Sequence, residues 1–351
     1  MKLTNQTNAL RAKKEYMKQM NETLELPMMC NLGGDKKERF PVSLHISDVH
    51  WRTSVPEYRK ESGSFHRVIA KKLQTVFDYN RKNGINPLPI FVSGDLFDGT
   101  RDFMQYYSLS SFLHEQDWKQ THIYCVRGQH DMYHHNPNDN ATAFNALVRE
   151  KLIRRLHKPF VLTADNKRFV YYGCSWGESV PVPESTDDTN VLILHKTLWH
   201  NKPVFPGQVE GNVKMESVKL AELGYNFVFS GDNHKAFDVT YNGVCFHNLG
   251  AFTRNSIDLA NQQPRFSVLF SDGSVESIHV GEHNVFEIDR SEADKFHEGA
   301  KDEFSKALAG GFCHGDTFRG SLEATVQSGK CGEVEFTIEQ IALLKDIINS
   351  L

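Results

Sequence analysis

The chain has 351 residues, ordinary apolar and charged fractions and a formal charge of −4, enough length for one large α/β core with an appended piece. The mild negative charge excludes a polyanion binder built on a global basic excess, and no apolar run is long enough to cross a bilayer. Six scattered cysteines, Cys30, Cys125, Cys174, Cys245, Cys313 and Cys331, have no Cys-x-x-Cys spacing, which fits neither a disulfide framework nor a zinc knuckle.

Residues 1–40 read as a polar, charge-mixed arm with weak helical periodicity at Leu10, Met17, Met20 and Leu24. The basic start lacks the apolar stretch and cleavage site of a secretory signal, so a cytoplasmic location without membrane attachment is expected. The main body is expected over residues 41–284. Within it, short apolar runs rich in β-branched and aromatic residues end abruptly in polar groups: VSLHIS before Asp48, LPIFVS before Gly94 and Asp95, THIYCV before Arg127 and Gly128, NVLILH ending at His195, and NFVFS before Gly231 and Asp232. Such runs suit strands buried on both faces. Stretches 64–83, 103–116 and 139–155 between them read as helices. Strands alternating with helices give a layered α/β body, whose ligands gather beyond the carboxyl ends of the strands, so the polar clusters are expected on one rim. Residues 285–351 form an acidic accessory region. Its end, Thr337-Ile338-Glu339-Gln340 before Ile341, Leu344, Ile347, Ile348 and Leu351, has the spacing of a capping box and an amphipathic terminal helix, which either covers the parent core or binds a partner.

Two divalent ions held close together need several carboxylate and imidazole ligands, one of them a bridging carboxylate, around an open face. Asp48 and His50, two apart on an extended segment, project to the same side. Asp95, behind a glycine that permits close backbone approach, is the natural bridge, and Gln129, His195, Asp232 and His234 complete the set. Asp-x-His at 48–50, Gly-Asp-Leu-Phe-Asp at 94–98, Gly-Gln-His-Asp at 128–131, His195, and Gly-Asp-Asn-His at 231–234 together resemble the calcineurin-like metallophosphoesterases. The Gly-Asp-Leu-Phe-Asp form and the chain length resemble the SbcD-type DNA exonuclease branch of that superfamily.

The resemblance covers roughly residues 42–255 and implies a layered αββα sandwich carrying a small C-terminal accessory region. It implies one metal on Asp48, His50, Asp95 and His234, and a second on Asp95, Gln129, His195 and Asp232. A metal-bound hydroxide would attack phosphorus in line, with His130, oriented by Asp131, protonating the leaving oxygen. Two departures from the family pattern fall on the second metal: Gln129 in place of Asn, and Asp232 in place of a His. Oxygen-rich coordination favours Mn²⁺, or Mg²⁺, over Zn²⁺. Trp51 and Arg52, next to His50, are placed at the rim, the indole to stack on a base or simply to pack, and Arg254 is a candidate phosphate contact. His134 and His135 follow His130 closely, either lining the groove or standing in solvent. The function implied is DNA cleavage, with a homodimer and an SbcC-type ATPase as partners. A phosphatase or small-molecule phosphodiesterase, and a non-catalytic scaffold, are the alternatives.

Overall fold

The unbroken hydrophobicity of the apolar runs has its reason in what lies on either face of each strand. The computed structural model of the chain describes residues 24–25, 39–56, 59, 63–83, 87–116, 122–164, 166–204, 208–281, 330–331 and 334–335. In β2 (Pro41–Ile46), β3 (Ile90–Ser93) and β4 (Ile123–Val126), Leu44, Ile46, Ile90, Val92, Ile123 and Cys125 face one way, into an apolar cluster shared with helices α1 (His66–Asn83), α2 (Phe103–Glu115) and α3 (Ala143–Arg149). Phe91, Tyr124 and Val126 face the other way, into a second cluster. There they meet Phe169 and Tyr171 of β7 (Lys167–Cys174), Val191 and Ile193 of β8 (Thr189–His195), and Phe227 and Phe229 of β9 (Tyr225–Gly231). The intervening residues Val170, Tyr172, Leu192, Leu194 and Val228 pack outward with Val213 and Leu220 of α4 (Val213–Glu222). Period-two alternation thus serves two apolar layers, and helix, sheet, sheet and helix stack in that order.

Arg154–Arg155 (β5), Phe160–Ala164 (β6), Phe237–Tyr241 (β10), Val244–Asn248 (β11), Arg265–Phe270 (β12) and Val275–His279 (β13) complete the sandwich, with Leu24–Glu25 (β1). One sheet runs β13-β12-β2-β3-β4-β5 and the other β1-β6-β7-β8-β9-β11-β10. Their centres, β2-β3-β4 and β7-β8-β9, are parallel, so strand ends from both sheets open onto a common rim. The helix read over 139–155 is shorter. It starts where Thr142 caps it through Asn145 N and ends before Lys151, which takes a left-handed φ of 62° without a glycine to mark the stop. Packing divides the chain into Met1–Glu287 and Ile288–Leu351. Within the second unit, Lys330–Cys331 pairs antiparallel with Val334–Glu335. The helix expected after Thr337 and the helical periodicity at Leu10, Met17 and Met20 lie outside the described residues. Leu24, read as part of that periodicity, stands instead in β1 and pairs with Leu162 of β6, where strand pairing prevails over the weak helical pattern. No helix among the described residues is long and apolar enough to cross a membrane. Cys125, Cys174 and Cys245 are free thiols.

One polar side chain lies where the pattern calls for an apolar one. His45 of β2 is fully buried between the sheets, its ring stacked on Phe229 with centroids 3.5 Å apart. The Tyr171 hydroxyl donates to Ser43 Oγ (2.8 Å), and Ser43 Oγ lies 2.9 Å from His45 Nε2. His45 Nδ1 has no partner. Burial, with nearby His247, holds the imidazole well below its ordinary pKa of 6.5, so it is neutral in the folded chain and titrates normally when unfolded. The unfolded chain therefore binds the extra proton, and stability present above about pH 6.5 is lost as pH falls below it, at up to about 1.4 kcal/mol per pH unit. Urea unfolding midpoints at neutral and mildly acidic pH are expected to differ less in His45→Phe than in the parent chain. An unchanged pH slope would assign the acid sensitivity elsewhere.

Candidate metal centre

The polar groups at the strand ends are aimed by their backbone. Asp48, His50, Asp95 and Asp232 all have positive φ, at 46°, 45°, 47° and 78°, a conformation that costs an ordinary residue on the order of 1–3 kcal/mol and persists only when the surroundings hold it. Here the chain leaves each strand in a sharp turn that points the side chain across the rim. His50 N donates to Asp95 O (3.0 Å) and Asp48 N to Gly94 O (3.2 Å), locking the first two turns together. Asp232 N donates to both oxygens of Asp48 (3.1 and 3.2 Å), which joins the two sheets.

These turns gather donors from both sheets. His195 Nε2 lies 3.4 Å and His50 Nε2 3.8 Å from Asp95 Oδ2, and that oxygen is buried with no hydrogen-bond partner. His234 Nε2 is 3.7 Å from Asp48 Oδ1 and 3.1 Å from His50 Nε2. Gln129 Oε1 is 2.9 Å from His195 Nε2, and Gln129 Nε2 donates to Asp232 Oδ1 (2.7 Å). The Thr197 hydroxyl donates to the other Asp232 oxygen. Three groups, Asp48–His50–His234, His50–Asp95–His130 and Asp48–Asp95–His195, each offer ligand atoms within 4.8 Å of one another. His195 Nδ1 donates to Ser93 O (2.6 Å), leaving Nε2 as the unprotonated face in the neutral ring. Nitrogens converging on an orphaned carboxylate oxygen, with two imidazole nitrogens facing each other, fit a centre that would bind cations.

Electrostatics agree. Burial alone would lower the pKa of His195, but Asp95, Asp48 and Asp232 outweigh it and raise it to about 10. His50 is likewise raised by Asp98, Asp95 and Asp48 against burial. Burial prevails at His234, which is lowered. Burial opposes the charge of Asp95, yet His195 and His50 hold it well below the usual carboxylate range. Without cations His195 carries compensating positive charge, and cation binding there displaces its proton.

Two expected roles come out differently. Trp51 is not at the rim: a bridge to Phe97 prolongs the sheet by one register, and the indole is fully buried, donating to Ser108 Oγ (2.9 Å) beneath α2. Arg254, the candidate phosphate contact, is 9% exposed, and its Nε donates to Gln262 O (2.5 Å). Asp131 does not orient His130. Its carboxylate accepts from Leu96 N, Phe97 N and Gly128 N, and burial with Asp95 nearby raises its pKa. The His130 ring is held through Nδ1 by the Asp98 carbonyl (3.2 Å). Arg52 is at the rim, paired with Asp98 (3.2 Å) and bonded to Ser54.

Asp98 is the residue the sequence reading passed over. Its carboxylate lies 3.6 Å from His50 Nδ1 and beside Arg52, while its carbonyl holds His130. A second carboxylate three residues after Asp95 was the available signal. The glycines of the motifs are required sterically. A Cβ on Gly94 (φ 89°) would fall on the His195 ring, one on Gly128 on the Asp95 carboxylate, and one on Gly231 2.8 Å from Asp48 Oδ2. Gly94→Ala is expected to cost about 2–4 kcal/mol from backbone conformation and overpacking. Gly177→Ala (φ 75°), where the added Cβ meets nothing within 4 Å, should cost about 1 kcal/mol. Comparison of the two denaturation midpoints checks this, and equal losses would refute the steric account.

No curated protein sequence matches the chain. Among solved structures, it is similar to a phosphopantetheinyl hydrolase from Mycobacterium tuberculosis (13% identity, 68% of this chain and 96% of that chain, TM-score 0.41). It is also similar to a putative 5′-nucleotidase from Staphylococcus aureus (10%, 69% and 53%, 0.42) and to an archaeal phosphodiesterase (10%, 70% and 100%, 0.35). The profile of one family, described as calcineurin-like phosphoesterase, matches residues 42–236. That span is more than half of the chain and contains all the converging donors; the chain belongs to the calcineurin-like phosphoesterase family, whose members typically bind divalent metals.

Proposed function

We propose that the chain is a metal-dependent phosphodiester hydrolase acting on DNA, a nuclease of the SbcD type. The observation that carries this reading is the buried, unpartnered Asp95 Oδ2 with His50 and His195 nitrogens on it. In this reading Asp48, His50, Asp95 and His234 would hold one ion, and Asp95, Gln129, His195 and Asp232 the other. The oxygens of Asp95, Gln129 and Asp232 favour Mn²⁺ or Mg²⁺ over Zn²⁺ at the second position. When bound, the pair of ions neutralises phosphate charge and supplies a nucleophilic water at neutral pH.

The chain's own groups do the rest. The Asp98 carboxylate faces His50 Nδ1 from 3.6 Å, and Ser93 O fixes the tautomer of His195. His130, exposed at the rim, keeps Nδ1–H on the Asp98 carbonyl, which leaves Nε2 to carry a proton to the departing oxygen. Arg52, held by Asp98 and Ser54, adds positive charge beside His50. A homodimer and an SbcC-type ATPase are the partners this branch brings, to be checked by light scattering and co-purification.

The test is incubation of linear single- and double-stranded DNA with the protein in Mn²⁺, beside bis-p-nitrophenyl phosphate and a panel of phosphomonoesters. Metal-dependent DNA cleavage supports the proposal. Turnover of small esters with DNA intact would move the protein to the small-molecule phosphoesterases, and no turnover with weak metal occupancy would make it a scaffold.

A further inference from the structure

Beside His130 the rim carries a run of rings that the chemistry above does not use. Trp51 is buried and Trp199 half-buried, whereas Trp176, just beyond β7, is 36% exposed. Its backbone N–H donates to Arg127 O (2.9 Å), which ties the Trp176 backbone to the strand exit two residues before Gln129. The imidazole of His135 sits against it, ring centroids 5.1 Å apart and planes inclined at 57°. His134 and His135 both have left-handed backbones, φ 50° and 56°. Two successive residues with side chains are thus held against their intrinsic preference, and such strain concentrates at ligand-contacting sites. Tyr133 braces this turn from behind, its ring covered by the Arg101 guanidinium at 3.4 Å. On the open side, a Cβ on Gly177 would meet nothing within 4 Å.

An exposed indole, braced by an imidazole and anchored to the strand end that delivers Gln129 and His130, offers an aromatic face next to a phosphate-binding centre. A ligand that satisfies both carries a planar ring a short linkage away from its phosphorus, which is the constitution of a nucleotide. We infer that Trp176 and His135 form a nucleobase-stacking subsite for a nucleoside flanking the scissile phosphate. This deepens, and rests on, the phosphodiesterase reading of the metal centre. Stacking tolerates every base, so the subsite selects nucleic acid over simple diesters without reading sequence.

The experiment compares two chromogenic diesters with the same leaving group, the p-nitrophenyl ester of thymidine 5′-phosphate and methyl p-nitrophenyl phosphate, in Mn²⁺. The parent chain is expected to prefer the nucleoside ester. The ratio of kcat/KM values should fall on the order of tenfold in Trp176→Ala, fall by less in His135→Ala, and be retained in Trp176→Phe, whose ring still stacks. Equal losses on both esters in Trp176→Ala, or a ratio that does not move, would overturn the subsite while leaving the hydrolase standing. Failure of the parent chain to hydrolyse either ester would overturn the phosphodiesterase reading itself and the subsite with it.

Discussion

Asp95→Asn is expected to reduce metal-dependent hydrolysis by on the order of a thousandfold while leaving the metal-free protein folded. Asparagine keeps the shape of the side chain and the Oδ1 acceptor for His130 N (2.9 Å). It removes the charge on Oδ2, the oxygen that has no partner of its own and faces two imidazole nitrogens. In the metal-free chain the consequences oppose each other. His195 loses the carboxylate that raises its pKa, and Asp131, raised by burial and by Asp95, is relieved of a like charge. The metal-free melting temperature should therefore change little. The clearer readout is stabilisation by added Mn²⁺: a ligand at a hundredfold excess over its Kd adds about 2.7 kcal/mol to the folded state, and the variant should lose most of that gain. A variant that keeps both the thermal shift and the activity would remove Asp95 from the centre of the site.

The second large effect is expected at His130, and it should depend on the leaving group. Cleavage of DNA expels an alkoxide, which needs a proton as it departs, and general acids contribute about 10²–10⁴-fold to such steps. p-Nitrophenolate is stable as an anion and leaves without one. On the proposed DNA substrate, His130→Ala should thus depress cleavage by about 10²–10⁴-fold but hydrolysis of bis-p-nitrophenyl phosphate by less than about tenfold. Equal losses on both substrates would instead mean that the imidazole serves binding or metal placement, the latter consistent with its closeness to His50 and Asp95.

Much of this arrangement was legible because its logic is local. A strand buried on both faces must be apolar throughout, so the first polar residue after the run marks the rim, and Asp48, Asp95, Gln129, His195 and Asp232 all stand at or just beyond such ends. What was not legible depends on contacts distant in sequence. Trp51 follows a candidate ligand directly, but its burial is decided by Ser108 and Phe112 of α2. The partner of His130 is a backbone carbonyl at Asp98, whereas the adjacent Asp131 turns inward to three amides. Arg254 gives its Nε–H to Gln262 O, and His45 occupies a position whose alternation calls for an apolar residue. Neither spacing nor composition records which loop lies across from a given side chain.

The donors come from both halves of the sandwich: Asp48, His50, Asp95 and Gln129 follow strands of one sheet, His195, Asp232 and His234 strands of the other. Ions seated among them would act as a rivet through two plates. Sliding or parting of the plates would have to break coordination, so the opening motions that expose amides of β3 and β8 become coupled to metal release. Hydrogen exchange at Phe91, Val92, Ile193 and Leu194 would then slow as metal is added, even though none of these residues is a ligand, and chelator would return the two sheets to breathing separately.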